Sequence, residues 1–207
     1  MTDVASGRAG DVTWAAAGRA IPGERESGDR FVVRDHGDGV LLGVVDGLGH
    51  GPEAAAAAVQ AVEAIEEGPS DPLEDIFRRC HKRLQGTRGA VISLVRLGVS
   101  TREISWGGVG DVDVVIVRRA SQGTKHERIH LVGGVVGYHL PRLAIGLRQL
   151  ESGDTVALAT DGLRPGFASD IRSMLPPETI ALLTLERHAR DSDDALVLVA
   201  REAGRAA

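Results

Sequence analysis

The stretch Val44-Val45-Asp46-Gly47-Leu48-Gly49-His50-Gly51, followed by Pro52, Glu53 and a run of alanines, decides how this chain is read. An apolar run from Val40 to Val45 has strand character and ends in a carboxylate. Three glycines and a histidine make the turn, and a helix begins at Pro52, where a missing N–H leaves no hydrogen bond unmade. A carboxylate at a strand end is aimed by a rigid sheet. Glycines beside it let the backbone approach whatever it holds.

Upstream, Asp29 opens a second β-rich run containing Phe31, Val32 and Val33, and His36-Gly37-Asp38-Gly39 carries the Asp-Gly signal of a hairpin turn. Asp29 thus starts the outgoing strand and Asp46 ends the return strand. In an antiparallel pair those ends are neighbours, so two carboxylates reach one edge of one sheet.

Downstream, Pro52 to Glu66 reads as a helix with Ala55, Val59, Val62 and Ile65 at helical spacing, and Leu73 to Leu84 as a second helix closed by Gly86. The two predict a helical layer over a sheet. From Gly89 the period shortens: Ala90–Leu97, Glu103–Gly108, Val112–Arg118 and Arg128–Val132 suggest an antiparallel meander. Gly133–Gly137 is a glycine-rich loop. Thr155–Ala159 is a strand that runs into Thr160, Asp161 and Gly162, a second strand-terminal Asp-Gly. Residues 176–189 contain a helix, and Asp193-Asp194 precede the apolar strand Ala195–Ala200. Val12–Ala17 reads as an edge strand. Residues 1–10 are patternless and predict a flexible tail, with a single domain over 11–207.

Composition narrows the function classes. With 24 basic against 29 acidic residues the net charge is −5, and no basic stripe is present, which argues against nucleic acid as a partner. The single cysteine, Cys80, precludes an internal disulfide and a cysteine-rich zinc site. No segment has the length and apolarity of a membrane span or signal peptide, so the expectation is a soluble, cytoplasmic protein with no membrane association.

Asp29, Asp46, Asp161 and the Asp193-Asp194 pair all sit at strand starts or ends, which coincide at one edge when neighbouring strands are antiparallel. Carboxylates gathered without lysine or arginine raise each other's pKa unless a cation compensates. Mg²⁺ and Mn²⁺ are suited to that role because they prefer oxygen ligands. Two such ions bind an oxyanion and activate water for in-line displacement, so phosphate ester hydrolysis is the leading chemistry. No Ser-His-Asp order or phosphate-cradling lysine motif points to a covalent or ATP-driven route.

Ser27–Asp29 (SGD), Val44–Gly51 (VVDGLGHG), Leu158–Leu163 (LATDGL) and Ser192–Val199 (SDDALVLV), in this order, resemble the motifs of the metal-dependent serine/threonine phosphatase superfamily, protein phosphatase 2C, and most of all its SpoIIE-like branch. The resemblance implies an α+β fold: a four-layer αββα sandwich of two central antiparallel sheets flanked by helices, with two Mn²⁺ or Mg²⁺ ions at one end. It implies that Asp46 bridges both ions, the Gly47 carbonyl binds one, Asp161 and Asp193 hold the second, and Asp29 acts on the first directly or through water. Asp194 is expected beside the ligands rather than among them. His50 is either a general acid for the leaving oxygen or a turn-stabilising side chain. Arg25 and Arg88 are the candidates for phosphate binding. The chain departs from the pattern at Leu196, where a threonine is usual, which puts the hydrogen bonding behind the ligands in question. The implied activity is dephosphorylation of a phosphorylated stressosome or anti-sigma-factor-antagonist protein. The alternatives are a catalytically silent phosphatase-like module that binds a phosphorylated regulator, and a phosphatase of small phosphorylated metabolites.

Overall fold

The computed structural model describes residues 2–37, 39–98, 100–120 and 123–202. Eleven strands among them form two antiparallel sheets. The first has the order β1 (Thr2–Ala9), β2 (Val12–Arg19), β11 (Ala195–Glu202), β10 (Thr155–Ala159), β7 (Asp113–Ala120), β8 (Gly123–Ile129). The second has the order β3 (Asp29–Asp35), β4 (Gly39–Gly47), β5 (Ala90–Gly98), β6 (Glu103–Val109), β9 (Gly146–Gln149). Helices α1 (Pro52–Glu66) and α2 (Leu73–Arg83) cover the second sheet, and α3 (Pro177–His188) with a short 3₁₀ turn (Phe167–Asp170) covers the first.

The period of two along a strand builds these four layers. On β4, Val40, Leu42 and Val44 face the core between the sheets, while Leu41 and Val45 pack beneath α1 and α2. On β11, Leu196, Leu198 and Ala200 enter the same inter-sheet core, and Ala195, Val197 and Val199 lie under α3. Val40–Val45 and Ala195–Ala200 therefore carry no polar side chain, because both faces of these strands are covered. On α1 the buried positions are chiefly alanines (Ala54, Ala57, Ala58, Ala61, Ala64), which let the helix axis approach the sheet closely. Val59, counted on the buried face from its spacing, is exposed, and Ile65 is the large anchor.

Four expectations are corrected. Residues 2–9 form strand β1, paired with β2 from Thr2↔Arg19 to Ala9↔Val12, in place of a flexible tail. Most of its side chains are exposed, so pairing rests on the backbone and leaves no hydrophobic pattern to read. For the same reason β2 is an interior strand between β1 and β11, not an edge. The run from Ala90 to Val132 is split: β5 and β6 pair in the second sheet, then the chain crosses at Gly110–Val112 and β7 pairs with β10 in the first. Short β-rich runs specify pairing partners weakly when both sheets offer an apolar face. The fourth run lies at Gly123–Ile129, earlier than expected, and β9 is a four-residue edge strand that composition did not mark. Asp38, in the predicted hairpin turn, lies outside the described residues.

A candidate metal-binding active site

Hairpin register places the first two carboxylates. Asp29 and Asp46 are direct partners in the β3–β4 pair, as the sequence predicted. The end of β10 and the start of β11 supply the others. Ala159 pairs with Val197, so Asp161 leaves one strand beside the point where Asp193 and Asp194 enter the next.

A hydrogen-bond network ties the two sheets together behind these groups. The Thr160 hydroxyl donates to Asp29 Oδ2 at 2.8 Å, and the Leu196 N–H donates to the same hydroxyl at 2.9 Å. The Thr160 N–H donates to the Leu196 carbonyl at 3.0 Å. Leu196 thus contributes its backbone while its side chain fills the inter-sheet core, and Thr160 supplies the hydroxyl that position 196 lacks. Asp194 is buried. It accepts the N–H groups of Ile21 and Gly28 at 2.7 and 2.6 Å, pinning the 21–28 loop beside Asp29. This is the supporting position expected for it.

Two glycines are required by close approach. A Cβ on Gly47 would collide with the Ala54 carbonyl, and one on Gly162 with the Asp194 carbonyl. Each keeps an acidic strand end pressed against its neighbour.

Asp46, Asp161 and Asp193 open onto one cleft of about 490 Å³, lined also by Leu48, Gly49 and the Gly133–Val135 loop. A fourth carboxylate lines it: Asp111, which follows Gly110 in the crossing between the sheets. Sequence reasoning missed Asp111, although a Gly-Asp pair between two β-rich runs was there to be found. Asp29 sits behind Asp46, only 3% exposed, and reaches the wall of a separate cavity of about 370 Å³.

The electrostatics are those of a partly buried cluster of acids. Burial first, and then Asp29, Asp161, Asp193 and Asp111, push the Asp46 carboxyl up to about 9. Burial pushes Asp29 up to about 8, aided by Asp194, Asp193 and Asp161, while the Thr160 hydroxyl works the other way. Asp161 is raised by burial, Asp111 and Asp193, and Arg190 opposes the shift. A positive charge placed among such carboxyl groups favours their ionised form near neutral pH. Among the described residues no three His, Cys, Asp or Glu side chains close a metal shell by themselves. Carboxylates spaced around an open cleft fit ions that keep several waters, as Mg²⁺ does.

The remaining predicted residues lie apart from the cleft lining. His50 is exposed, with Nδ1 3.1 Å from Glu24 Oε1. Arg25 is exposed on the wall of the cavity behind Asp29. Arg88 forms an ion pair with Glu53 and reaches Gly49 at the cleft's rim.

This sandwich with an acidic cleft at the ends of its strands has the fold of solved protein phosphatase 2C domains. The chain belongs to the SpoIIE family: residues 36–205 match the family model for Stage II sporulation protein E (SpoIIE). It is 26% identical over 153 residues to the phosphoserine phosphatase RsbX of Bacillus subtilis (strain 168), covering 74% of each chain. Among solved structures, a chain from a study of the bacterial stressosome as a modular system adapted to control secondary messenger signalling is 33% identical. That match covers 92% of this chain and 99% of the other, with a TM-score of 0.82. RsbX in complex with magnesium superposes with a TM-score of 0.84 at 19% identity, over 96% and 98% of the two chains. The catalytic domain of the serine/threonine phosphatase PstP with two manganese ions gives 0.69 at 16% identity, over 92% and 97%. Among the described residues no helix is long and apolar enough to cross a membrane.

Proposed function

We propose that this chain is a Mn²⁺- or Mg²⁺-dependent phosphatase that removes phosphate from phosphoserine or phosphothreonine of a stressosome or partner-switching regulator, a phosphorylated anti-sigma-factor-antagonist protein among them. We assign the work to the cytoplasm and to one catalytic domain, in which β1 takes part. The observation that carries the reading is the convergence of Asp46, Asp111, Asp161 and Asp193 on one cleft, with Asp29 buried behind them and Asp29, Asp46 and Asp161 all pushed up.

In this reading Asp46 would serve both ions, the Gly47 carbonyl would hold one of them, Asp161 and Asp193 would hold the second, and Asp29 would act on the first directly or through water. When bound, the ions supply Lewis acidity and an activated water. The chain's own contribution is position. Thr160 orients Asp29, Asp194 holds the loop that precedes it, and Gly47 and Gly162 keep the strand ends close enough for the carboxylates to act together. The cleft is open, which suits a phosphorylated side chain presented on a protein surface. Likeness to RsbX and to a stressosome chain supports the choice of regulator.

Purified protein should hydrolyse p-nitrophenyl phosphate only with Mn²⁺ or Mg²⁺ added, and should dephosphorylate a phosphorylated antagonist protein, followed by mass spectrometry of the phosphosites. Activity that survives both Asp46→Asn and a chelator would sink the proposal. Absence of Mn²⁺ binding by calorimetry would favour the silent binding module, and faster turnover of sugar phosphates would favour a metabolite phosphatase.

A further inference from the structure

Strand β1 ends the first sheet on one side, and among the described residues no strand pairs with its outer edge. Ala9 faces Val12 across the two-residue turn Gly10-Asp11, so these two exchange backbone hydrogen bonds. Alternation then turns the N–H and C=O groups of Gly7, Ala5 and Asp3 toward β2, and those of Arg8, Ser6, Val4 and Thr2 outward. All four outward residues are exposed, and among the described residues their backbone groups make no hydrogen bond beyond the β1–β2 ladder. We infer that this edge pairs antiparallel with the same edge of a second copy of the chain, joining the two first sheets into one across a two-fold axis.

Symmetry fixes the register. A two-fold axis normal to the sheet leaves each side chain on its own side, and facing residues share a side, so the numbers of facing residues sum to an even value. Centring on Ala5 sets Thr2 against Arg8 and Val4 against Ser6, which engages every outward residue in about eight backbone hydrogen bonds. Centring on Val4 or Ser6 leaves one outward residue of each strand with no facing residue in the other. In the Ala5 register no like charges oppose one another, because Asp3 lies against Gly7 and Arg8 against Thr2. Val4, 45% exposed in the single chain, meets its own copy diagonally across the axis.

Charge complementarity selects a second copy as the occupant. The side chains of Thr2, Val4, Ser6 and Arg8 lie on the α3 side of the sheet, since the β2 partners of Ser6 and Val4 are Ala15 and Ala17, which pack under that helix. A groove of about 830 Å³ runs between the start of β1 and α3, and its lining includes Thr2, Leu182, Leu183, Glu186 and Asp191. Arg8 of the second copy, set against Thr2, comes to the mouth of this groove. Its aliphatic stem suits the leucines and its guanidinium suits the two acids. Glu186 is exposed and, among the described residues, enters no ion pair, while the Asp191 side chain stays 82% exposed even though it accepts from Arg19. In the single chain Arg8 is held by surface contacts to Gly10 and Asp11 of its own turn, which are weak and readily exchanged. An unrelated strand would satisfy the edge, but the second copy supplies the arginine as well, and the axis makes the contact twice.

Sedimentation velocity from roughly 1 to 300 μM should show a monomer–dimer equilibrium with a Kd on the order of 10 μM, as suits a small, polar interface. Ser6→Pro removes an outward donor and spares the β2 ladder, so it should raise Kd at least about tenfold, whereas Ser6→Ala should hold it. Arg8→Glu and Glu186→Arg should each raise Kd about tenfold, and the two combined should return it to within about threefold of wild type. Amide exchange followed by NMR should slow at Val4, Ser6 and Arg8 as concentration rises, with Ala5 and Gly7 unchanged. A chain that stays monomeric throughout overturns the inference. So does a Ser6→Pro protein that dimerises like wild type, or a pair of charge reversals no better together than the worse one alone. If Ser6→Pro does not fold, the charge reversals decide, since they leave the backbone as it is.

Discussion

Replacing Thr160 by valine removes one hydroxyl, with almost no change of shape, from the junction of the two sheets. That hydroxyl is buried and makes two short hydrogen bonds, one donated to Asp29 and one accepted from the Leu196 N–H. Because valine fills the same volume, no cavity opens, and the loss is that of the hydrogen bonds alone. A buried N–H left without a partner costs about 1–3 kcal/mol, so roughly 2 kcal/mol is expected from Leu196. For a chain of this size each kcal/mol lowers the melting temperature by about 2–4 °C, which gives a fall of roughly 4–8 °C.

The functional effect has a separate cause. Thr160's hydroxyl donates the hydrogen bond that works against burial and three neighbouring acids at Asp29, so in Thr160→Val the Asp29 carboxyl is pushed further up. Mn²⁺ must then displace a proton that is held more tightly. Loss of a partner behind a metal ligand weakens binding roughly tenfold to a hundredfold, and here the loss should shrink as pH rises. Mn²⁺ calorimetry from pH 6.5 to 8.5, with melting curves in a chelator, reads both effects, and Thr160→Ser should behave like wild type. A Thr160→Val protein that melts with wild type and binds Mn²⁺ with the same affinity at pH 7 would refute the link between Thr160 and Asp29.

Three further outcomes follow from the same geometry. Asp29 and Asp46 hold their protons up to about 8 and about 9 in the folded protein, against 3.8 for the free group. The folded state therefore binds more protons than the unfolded one between these values. Stability of the chelated protein is greatest below the lower value and is lost as pH rises through 8 to 9; melting curves from pH 6 to 9.5 should fall without metal and flatten with Mn²⁺, and a rise without metal would contradict the burial of these acids. Asp194→Ala leaves the Ile21 and Gly28 N–H groups without their acceptor, so a loss of about 2–4 kcal/mol is expected, together with early proteolytic cleavage within residues 21–28. Gly162→Ala drives a methyl into the Asp194 carbonyl and should destabilise by about 3 kcal/mol or fail to fold, whereas Gly133→Ala, with open space around it and no left-handed backbone, should cost less than about 1 kcal/mol by denaturant titration.

Local signals carried the elements whose cause is local. The bounds of α1, from Pro52 to Glu66, follow from a proline at its first turn and a run of helix-forming alanines, and the structure keeps them. The meeting of Asp29 and Asp46 was legible for a similar reason. A hairpin brings its two ends together whatever surrounds it, so a start in one strand and a finish in the next are enough. Strand β1 was not legible, because its pairing is made by backbone groups that every residue carries and its side chains face solvent.

The tertiary structure decided everything that depends on which strands become neighbours. Only the crossing at Gly110–Val112 brings Asp111 to the cleft of Asp46, Asp161 and Asp193, from a stretch that reads as one continuous meander. Only the packing of one sheet on the other puts the Thr160 hydroxyl on Asp29, two residues 131 positions apart. Hairpin geometry acts over a few residues and leaves a trace in composition, whereas contacts between sheets depend on chain routing that no short run of residues encodes.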